Sequence, residues 1–546
     1  MLRIGIDFDN TIACYDQAFL EVAALLGIQS VENCSTKFEV KREIQSLTDG
    51  DIGWQRLQGQ VYGKHMLRAT AFPGIHEFIY LANIRGHEVF VVSHKSEFGH
   101  FDPERVPLRG QALRWLEKNK FINDSQYYLK KENVFFESTR QDKIHRIRNL
   151  GCTHFIDDLI EVFGEPEFPS DMSKVLFSPS GSHHVTGNTT AGSWRDVTAQ
   201  ILGPWSEVEV CHAIQHLFPE LKVNKAFVQP GRGNSRVYKL TGSTSRNYLL
   251  KVYPDLQLDK RTRLHTEFSA CQKLAELGYP VNQAIASSEH LGWGIYEWLD
   301  GMPIGDTDAS FVDAAIDFSR RLHFDSHKSC VFSEFPLASE ACLSGLDIAN
   351  QIEVRIQKLA VVANPDLAAF ITDELRSALE NAVSRAKSRG GDLFHVPLAR
   401  SFQIASPSDF GSHNALRLTC GTNMFYDFEY FGWDDPVKLV SDFYWHPGMH
   451  LGNELRKKWL VASEFVFQND PDFSARLNCY LPLYGLRWCL IILNEFLKSE
   501  MARRLNANPE KNISTPDTCS LQLHKAKALL QEIKEKLHHG STVQTT

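Results

Sequence analysis

The stretch IASPSDFGSHNALR, residues 404–417, decides how the second half of this chain is read. Asp409 heads two patterns at once. With Phe410 and Gly411 it spells Asp-Phe-Gly, whose aspartate can hold magnesium. With Asn414, five residues on, it has the spacing of a loop in which the aspartate meets a phosphoryl acceptor and the asparagine holds the metal. One carboxylate cannot do both. If Asp409 were the magnesium ligand, an Asp-x4-Asn loop should stand upstream. The nearest candidate, GGDLFHVPLAR at 390–400, offers Asp392, but Pro397 stands where asparagine is needed. The other assignment closes. Thirteen residues beyond Asn414 comes Asp427, in the apolar run MFYDFEYFGWDDP. Asp409 is then the acceptor-facing carboxylate, Asn414 and Asp427 are the metal ligands, and Asp-Phe-Gly is a coincidence.

Working upstream, KAFVQPGRGNSRVYKLTGSTSRNYLLKVYP, residues 225–254, reads as strand, glycine turn, strand, turn, strand. Gly231 and Gly233 would let the backbone approach a ligand closely, although hairpins need such residues in any case. Lys251 lies in the β-like run YLLKVYP. Glu267 follows 16 residues later in the helical RLHTEFSACQKLAELG. A strand lysine paired with a helix glutamate can hold nucleotide phosphates; taken alone, each is as well explained as a surface charge. GWGIYEWLDGMPI then reads as a last strand entering a hinge; that Glu297 to Leu299 lie beside a nucleotide base is implied only by analogy with kinase-like enzymes.

These motifs resemble the aminoglycoside and choline phosphotransferase family, kinase-like enzymes that phosphorylate small-molecule hydroxyls. The resemblance covers residues 204–546 and implies a bilobal α+β domain, with a small lobe at about 222–300 and a large lobe at about 301–546. It implies ATP or GTP as donor, Mg²⁺ as cofactor, and bracing roles for Asp435 and Asp442. One position departs: Pro407 stands where the family's loop carries histidine. His413, just before Asn414, is expected to be structural or exposed. No Ala-Pro-Glu segment follows Asp427, and the sequence turns helix-rich, so a small-molecule acceptor is favoured over a protein.

The first half carries a different set. RIGIDFDNTI, residues 3–12, is a short apolar strand running into Asp7 and Asp9. HEVFVVSHKSE is a second strand reaching Ser93. STRQDKIHRIRNLG is a helix with Lys143, and THFIDDLIEVF a third strand ending at Asp157 and Asp158. Strands alternating with helices predict a parallel α/β sheet with its site at the carboxyl ends of the strands. A carboxylate nucleophile there can form an aspartyl-phosphate, and a second carboxylate can protonate the leaving oxygen and then activate water. Further carboxylates suit Mg²⁺. A hydroxyl and a lysine can hold phosphoryl oxygens. His94 and Lys95, just past Ser93, could touch a substrate, but the blander reading as exposed loop residues is preferred.

In order and spacing this half resembles the haloacid dehalogenase superfamily of phosphatases. The resemblance implies a Rossmann-like sheet over residues 1–203 with a small helical cap at about 12–72. It makes Asp7 the nucleophile and Asp9 the general acid/base. Thr11, Ser93 and Lys143 would bind the phosphoryl group. Mg²⁺ would sit between Asp7, the Asp9 carbonyl and Asp157 or Asp158.

The whole chain accommodates both halves. Its 546 residues exceed one ordinary domain. The hydrophobic share of 43% and charged share of 23% suit globular cores. A net charge of −8 without a basic run argues against a nucleic-acid platform. Eleven cysteines without a Cys-x-x-Cys pair argue against a zinc site or disulfide framework and fit a reducing cytoplasm. YGLRWCLIILNEFL carries Arg487 and Asn494, is too short to span a bilayer, and reads as a buried helix. The expected protein is a cytoplasmic bifunctional kinase and phosphatase. Its partners are a small hydroxyl acceptor and a phosphomonoester, with neither membrane nor nucleic acid. A regulatory first half and a silent nucleotide-binding scaffold are the alternatives. Oligomeric state is open.

Overall fold

The computed structural model describes residues 1–102, 104–122, 128–179, 189–230, 235–243, 246–254, 261–305, 308–328, 330–449, 451–497, 500 and 516–539. The chain forms two compact units, Met1–Leu221 and one beginning at Lys222. The divide lies beyond the 203/204 boundary expected from sequence. Helix Glu207–Leu217, opened by a Ser206/Glu209 capping box, belongs to the first unit, where Arg85 donates to Glu209 at 2.7 Å and Tyr80 bonds His216.

In the first unit the strands are β1 (Arg3–Ile6), the short β2 (Ala13–Cys14) and β3 (Thr70–Ala71), then β4 (Glu88–His94), β5 (Val134–Glu137), β6 (His154–Asp157), β7 (Ser173–Phe177) and β8 (Thr189–Ala191). Six of them make one sheet of order β5-β4-β1-β6-β7-β8, parallel throughout. Both faces are covered, so its strands are apolar at successive positions rather than alternately polar. Ile4, Ile6, Val89, Val91 and Ile156 enter one core. Phe90, Val92, Phe155 and Leu176 enter the other. Gly5 falls on the second face, where an added Cβ would stand 2.5 Å from the Phe155 ring, so only glycine lets those strands close.

Between β2 and β3, which pair antiparallel as a stem, the chain makes the helical insert foreseen at about 12–72. Its helices are Asp16–Leu25, Lys37–Gln45 and Gly50–Tyr62. The second opens on a Thr36/Glu39 capping box, which satisfies two otherwise orphaned backbone donors.

The second unit begins with β9 (Val223–Gln229), β10 (Arg236–Gly242), β11 (Asn247–Val252), β12 (Ala284–Ser288) and β13 (Trp293–Glu297). They form an antiparallel sheet of order β12-β13-β11-β10-β9, accompanied by helix Arg263–Glu276. Beyond it lie five short strands: β14 (Gly301–Pro303), β15 (Ile404–Ser406), β16 (Ala415–Leu418), β17 (Asn423–Phe425) and β18 (Gly432–Asp434). The rest is mainly helical. The expected buried helix around Arg487 is present as Phe473–Ile492. Arg487 is buried there because Asp442 and Glu340 meet its guanidinium, at 3.3 and 2.7 Å. Among the described residues no helix is long and apolar enough to cross a membrane, and all eleven cysteines are free thiols.

Candidate active sites

In the first unit the site grows from the ends of β1, β4 and β6. Asp7 follows β1 directly, its N–H donating to the Ile156 carbonyl at 2.9 Å. Asn10 then takes φ 58°, a left-handed conformation that is uncommon outside glycine and tends to mark function. That turn brings Asp9 back toward Asp7. Lys143, on helix Arg140–Asn149, donates to Asp7 Oδ1 and Asp157 Oδ2, both at 2.6 Å. Ser93 is buried in β4. Asn10 bonds Asp158 at 3.2 Å.

These groups bound a cavity of about 370 Å³. Asp7, Asp9, Ser93, Lys95, Lys143 and Asp158 line it from the sheet; Lys37, Gln55, Gln58 and Tyr62 close it from the helical insert. Asp157 and Thr11 are not among its lining residues. Asp157 acts from behind, through Lys143. Thr11 is fully buried with its hydroxyl unpartnered, while its carbonyl takes the Trp194 indole N–H at 2.8 Å.

Burial lifts Asp7 to about 7; Lys143 pulls it down, and Asp157 and Asp9 push it up. Burial likewise raises Asp158 well above the carboxylate range, helped by Asp7 and Asp157. Asp7, Asp157 and Asp158 each offer an oxygen within 4.8 Å of the others. A hard divalent cation such as Mg²⁺ suits that all-oxygen set.

Lys95 overturns its sequence reading. It is 3% exposed, and its ammonium bridges both oxygens of Asp9 at 2.8 Å. His94 is exposed, as expected. The missed signal was periodicity: Lys95 stands two residues beyond Ser93 and shares its face. Tyr15 OH also donates to Asp9, at 2.5 Å.

In the second unit Lys251, on β11, bonds Glu267 on helix Arg263–Glu276 at 2.6 Å and pairs with Asp427. Glu429 lies 3.4 Å from the same ammonium and pairs with Arg263. Burial raises Glu267 to about 7 against the pull of Lys251, with Asp427 and Glu429 adding to the rise. The β16/β17 hairpin explains the thirteen-residue spacing. Ala415 faces Phe425, and the Tyr426 N–H donates to the Asn414 carbonyl at 3.0 Å. Asn414 and Asp427 therefore leave the hairpin side by side. Asp427 has φ 71° and Ser408, just before Asp409, φ 66°.

Asn414 Nδ2 donates to the Asp409 carbonyl at 3.0 Å, leaving its amide oxygen as the end that can face a cation. That oxygen with the Asp427 carboxylate gives hard ligands of the kind Mg²⁺ takes. Burial would raise Asp409, but His413, with its hydrogen bond, then His446 and Asn414 outweigh it and hold the carboxyl well below the usual range. Asp435 caps helix Pro436–Trp445 and receives Arg476 at 3.0 Å. Asp442 receives Lys438 at 3.0 Å, and Lys438 donates to Ser408 Oγ at 2.8 Å.

Glu297 ends β13, with its N–H given to the Gln283 carbonyl at 2.8 Å. Leu299 lies just beyond, half-buried, between β13 and β14. Gly231 and Gly233 fall outside the described residues. His446, missed from sequence, reaches Asp409 from the far end of helix Pro436–Trp445. No local pattern announces it, because its place is set by tertiary packing.

The sequence matches no family model and no curated protein. Among solved structures, the chain is similar to choline kinase LicA from Streptococcus pneumoniae, with a TM-score of 0.40 at 13% identity over 59% of this chain and 98% of that one. It is similar to a choline/ethanolamine kinase family protein from Mesorhizobium loti, with a TM-score of 0.40 at 18% identity over 61% and 98%. A spectinomycin phosphotransferase solved with ADP and spectinomycin gives 0.42 at 9% identity over 61% and 99%.

Proposed function

We propose that the second unit is a nucleotide-dependent kinase for a hydroxyl on a sugar-like or amino-alcohol metabolite, and the first a phosphomonoester hydrolase of the haloacid dehalogenase type. One observation carries both readings. Each unit holds a lysine clamped between carboxylates of different elements, beside three carboxylates whose oxygens come within 4.8 Å of one another.

In the kinase, Lys251, oriented by Glu267, meets the phosphates of ATP or GTP, and Asp409 accepts the acceptor's hydroxyl proton as the oxygen attacks phosphorus. Mg²⁺, held by Asn414 and Asp427, would neutralise charge on the phosphate oxygens. In the hydrolase, Asp7 attacks phosphorus, and Ser93 and Lys143 hold the phosphoryl oxygens. Asp9 protonates the departing oxygen, then takes a proton from water as the aspartyl-phosphate hydrolyses. Mg²⁺ between Asp7 and Asp157 or Asp158 would offset the repulsion between nucleophile and phosphate.

A second reading has its own support. Asp9 accepts from Lys95 on both oxygens and from Tyr15, so a carboxyl that must give a proton faces donors. That favours a first unit that binds a phosphorylated ligand without hydrolysing it.

The test uses purified full-length protein, Mg²⁺, labelled ATP or GTP, and panels of sugars, amino alcohols and their phosphates. Acceptor labelling lost with Asp409→Asn, and phosphate release lost with Asp7→Asn, support the bifunctional reading. Labelling without phosphate release from any phosphomonoester leaves the kinase with a binding module. No labelling of any acceptor refutes the kinase.

A further inference from the structure

Two imidazoles crowd one oxygen of Asp409. His413 Nε2 lies 2.9 Å from Asp409 Oδ1. His446 Nε2, from another element, lies 3.5 Å from the same oxygen. The two imidazoles are stacked face to face, with centroids 3.7 Å apart and planes within 3°. Backbone and neighbours fix the His446 ring and the backbone of His413. The Gly448 N–H donates to His446 Nδ1 at 3.0 Å, so neutral His446 carries its proton on Nε2, the nitrogen on the Asp409 side. Trp488 packs edge-on against His446 at 4.6 Å and donates its indole N–H to Asp442 at 2.9 Å. Tyr426 OH donates to the His413 carbonyl at 3.0 Å. Glycine is required beside the stack: a Cβ at Gly411 would stand 2.8 Å from the His413 ring.

We propose that His446 and His413 are a positioning pair that immobilises Oδ1 of Asp409, so that Oδ2 takes the acceptor proton. The inference rests on the kinase reading of this site. Both rings act on Asp409, not on substrate. The proton passes from the acceptor hydroxyl to Oδ2, the acceptor oxygen bonds the γ-phosphorus, and the bond to the departing nucleoside diphosphate breaks. A competing use of the same atoms, a three-ligand transition-metal site, requires His446 Nε2 to lose its hydrogen while Nδ1 already accepts Gly448. The tautomer opposes it.

The test pairs kinetics with ring-nitrogen spectra on the full chain. His446→Leu removes the donor; His446→Gln returns an N–H near the Nε2 position. Expected is a fall in kcat of about 100-fold for leucine, the scale of a misplaced catalytic group, with the nucleotide KM unchanged and most of the loss recovered by glutamine. Imidazole ¹⁵N spectra should show His446 as the Nε2–H tautomer, and the Nε2 signals of both rings should move in Asp409→Asn. Wild-type kcat in His446→Leu, or ring signals unmoved by Asp409→Asn, overturns the pair. So does a Zn²⁺ titration at low micromolar concentration that shifts His446 to the Nδ1–H form. If the leucine variant loses its thermal transition, the glutamine variant and the spectra decide. A wild type that binds Mg·nucleotide but transfers to neither acceptor nor water refutes the kinase reading instead, and the spectra still confirm or reject the brace.

Discussion

Replacing Lys143 with methionine keeps the length of the side chain and removes its charge. The ammonium sits 2.6 Å from both Asp7 and Asp157, in a pocket where the three side chains are 3%, 7% and 0% exposed. Without it two carboxylates face each other in a medium that solvates neither. Removing one partner of a buried ion pair costs about 3–5 kcal/mol; the two contacts share one ammonium and do not add. Two routes relieve the loss. Asp7, already lifted to about 7 by burial, loses the lysine that pulled it down and takes a proton more readily, so the cost is greater at pH 8 than at pH 6. Mg²⁺ on Asp7, Asp157 and Asp158 restores positive charge, returning about 2.7 kcal/mol at a hundredfold excess over Kd. Amide exchange in peptides covering residues 3–12 and 153–160 of the full chain reads the effect locally. In EDTA at pH 8 the variant should exchange about 150- to 4,000-fold faster than wild type, less at pH 6, and substantially less with Mg²⁺. Unchanged exchange in EDTA at pH 8 would show that Lys143 does not hold these carboxylates together.

Other perturbations follow from the same geometry. Mg²⁺ must displace protons from Asp7 and Asp158, both raised by burial, so affinity at the first site should rise from pH 6 to pH 8, as calorimetry at pH 6, 7 and 8 would read; a flat profile contradicts the lifted carboxyls. His323 is held at about 4 by burial and then by His327, below its ordinary 6.5, with Nδ1 unpartnered and its ring on Phe467. The unfolded chain binds a proton there that the folded chain refuses, so stability is intact above 6.5 and falls as pH drops toward 4. After screening at a half-buried ring this is about 1–2 kcal/mol, and His323→Phe should flatten that part of the melting curve. Gly99 approaches Gly59 of the helical insert so closely that a Cβ would stand 2.6 Å from Gly59 Cα. Gly99→Ala should cost about 1–3 kcal/mol by overpacking and lower kcat/KM for phosphomonoesters; wild-type values for both would show that this contact does not set the closure.

Much of this was legible from short motifs because parallel sheets place strand ends together whatever intervenes. Asp7, Ser93, Lys143 and Asp157 are far apart in sequence, yet β1, β4 and β6 are neighbours, so recognising each strand sufficed to predict the cluster. The helical insert was expected only from the resemblance, which puts a cap between Thr11 and about Phe72; β2 and β3 pair near those points. Lys95 was misread because a lysine past a strand end is usually solvated; here Asp9 binds its ammonium and the Phe8 and Tyr62 rings pack on it. The compact units divide at Leu221/Lys222 rather than at 203/204 because Glu207–Leu217 is tied to the first unit by Arg85, 124 residues upstream of Glu209, which no composition shift announces. His446 had no signal at all. Its relation to Asp409 exists only once helix Pro436–Trp445 has packed.

The two sites use one physical device. Carboxylates gathered in a poorly solvating pocket repel each other, and each unit offsets this with a lysine from a separate element: Lys143 between Asp7 and Asp157, Lys251 between Glu267 and Asp427. Each also holds non-glycine residues in the left-handed region beside its reactive groups, Asn10 in one and Ser408 and Asp427 in the other. Such conformations cost about 1–3 kcal/mol each and persist only where surrounding packing enforces them. That packing is local. The strands around Asn10 are held by the cores of the first unit, while Phe410, Phe425 and Phe428 anchor the loops of Ser408 and Asp427 in the core of the second. Every lysine and carboxylate named at a site comes from the unit that contains it. Disabling one site should therefore leave the other's geometry intact. The Asp7→Asn and Asp409→Asn variants can then assign each activity to its unit, and a loss of both activities in either single variant would contradict this local account.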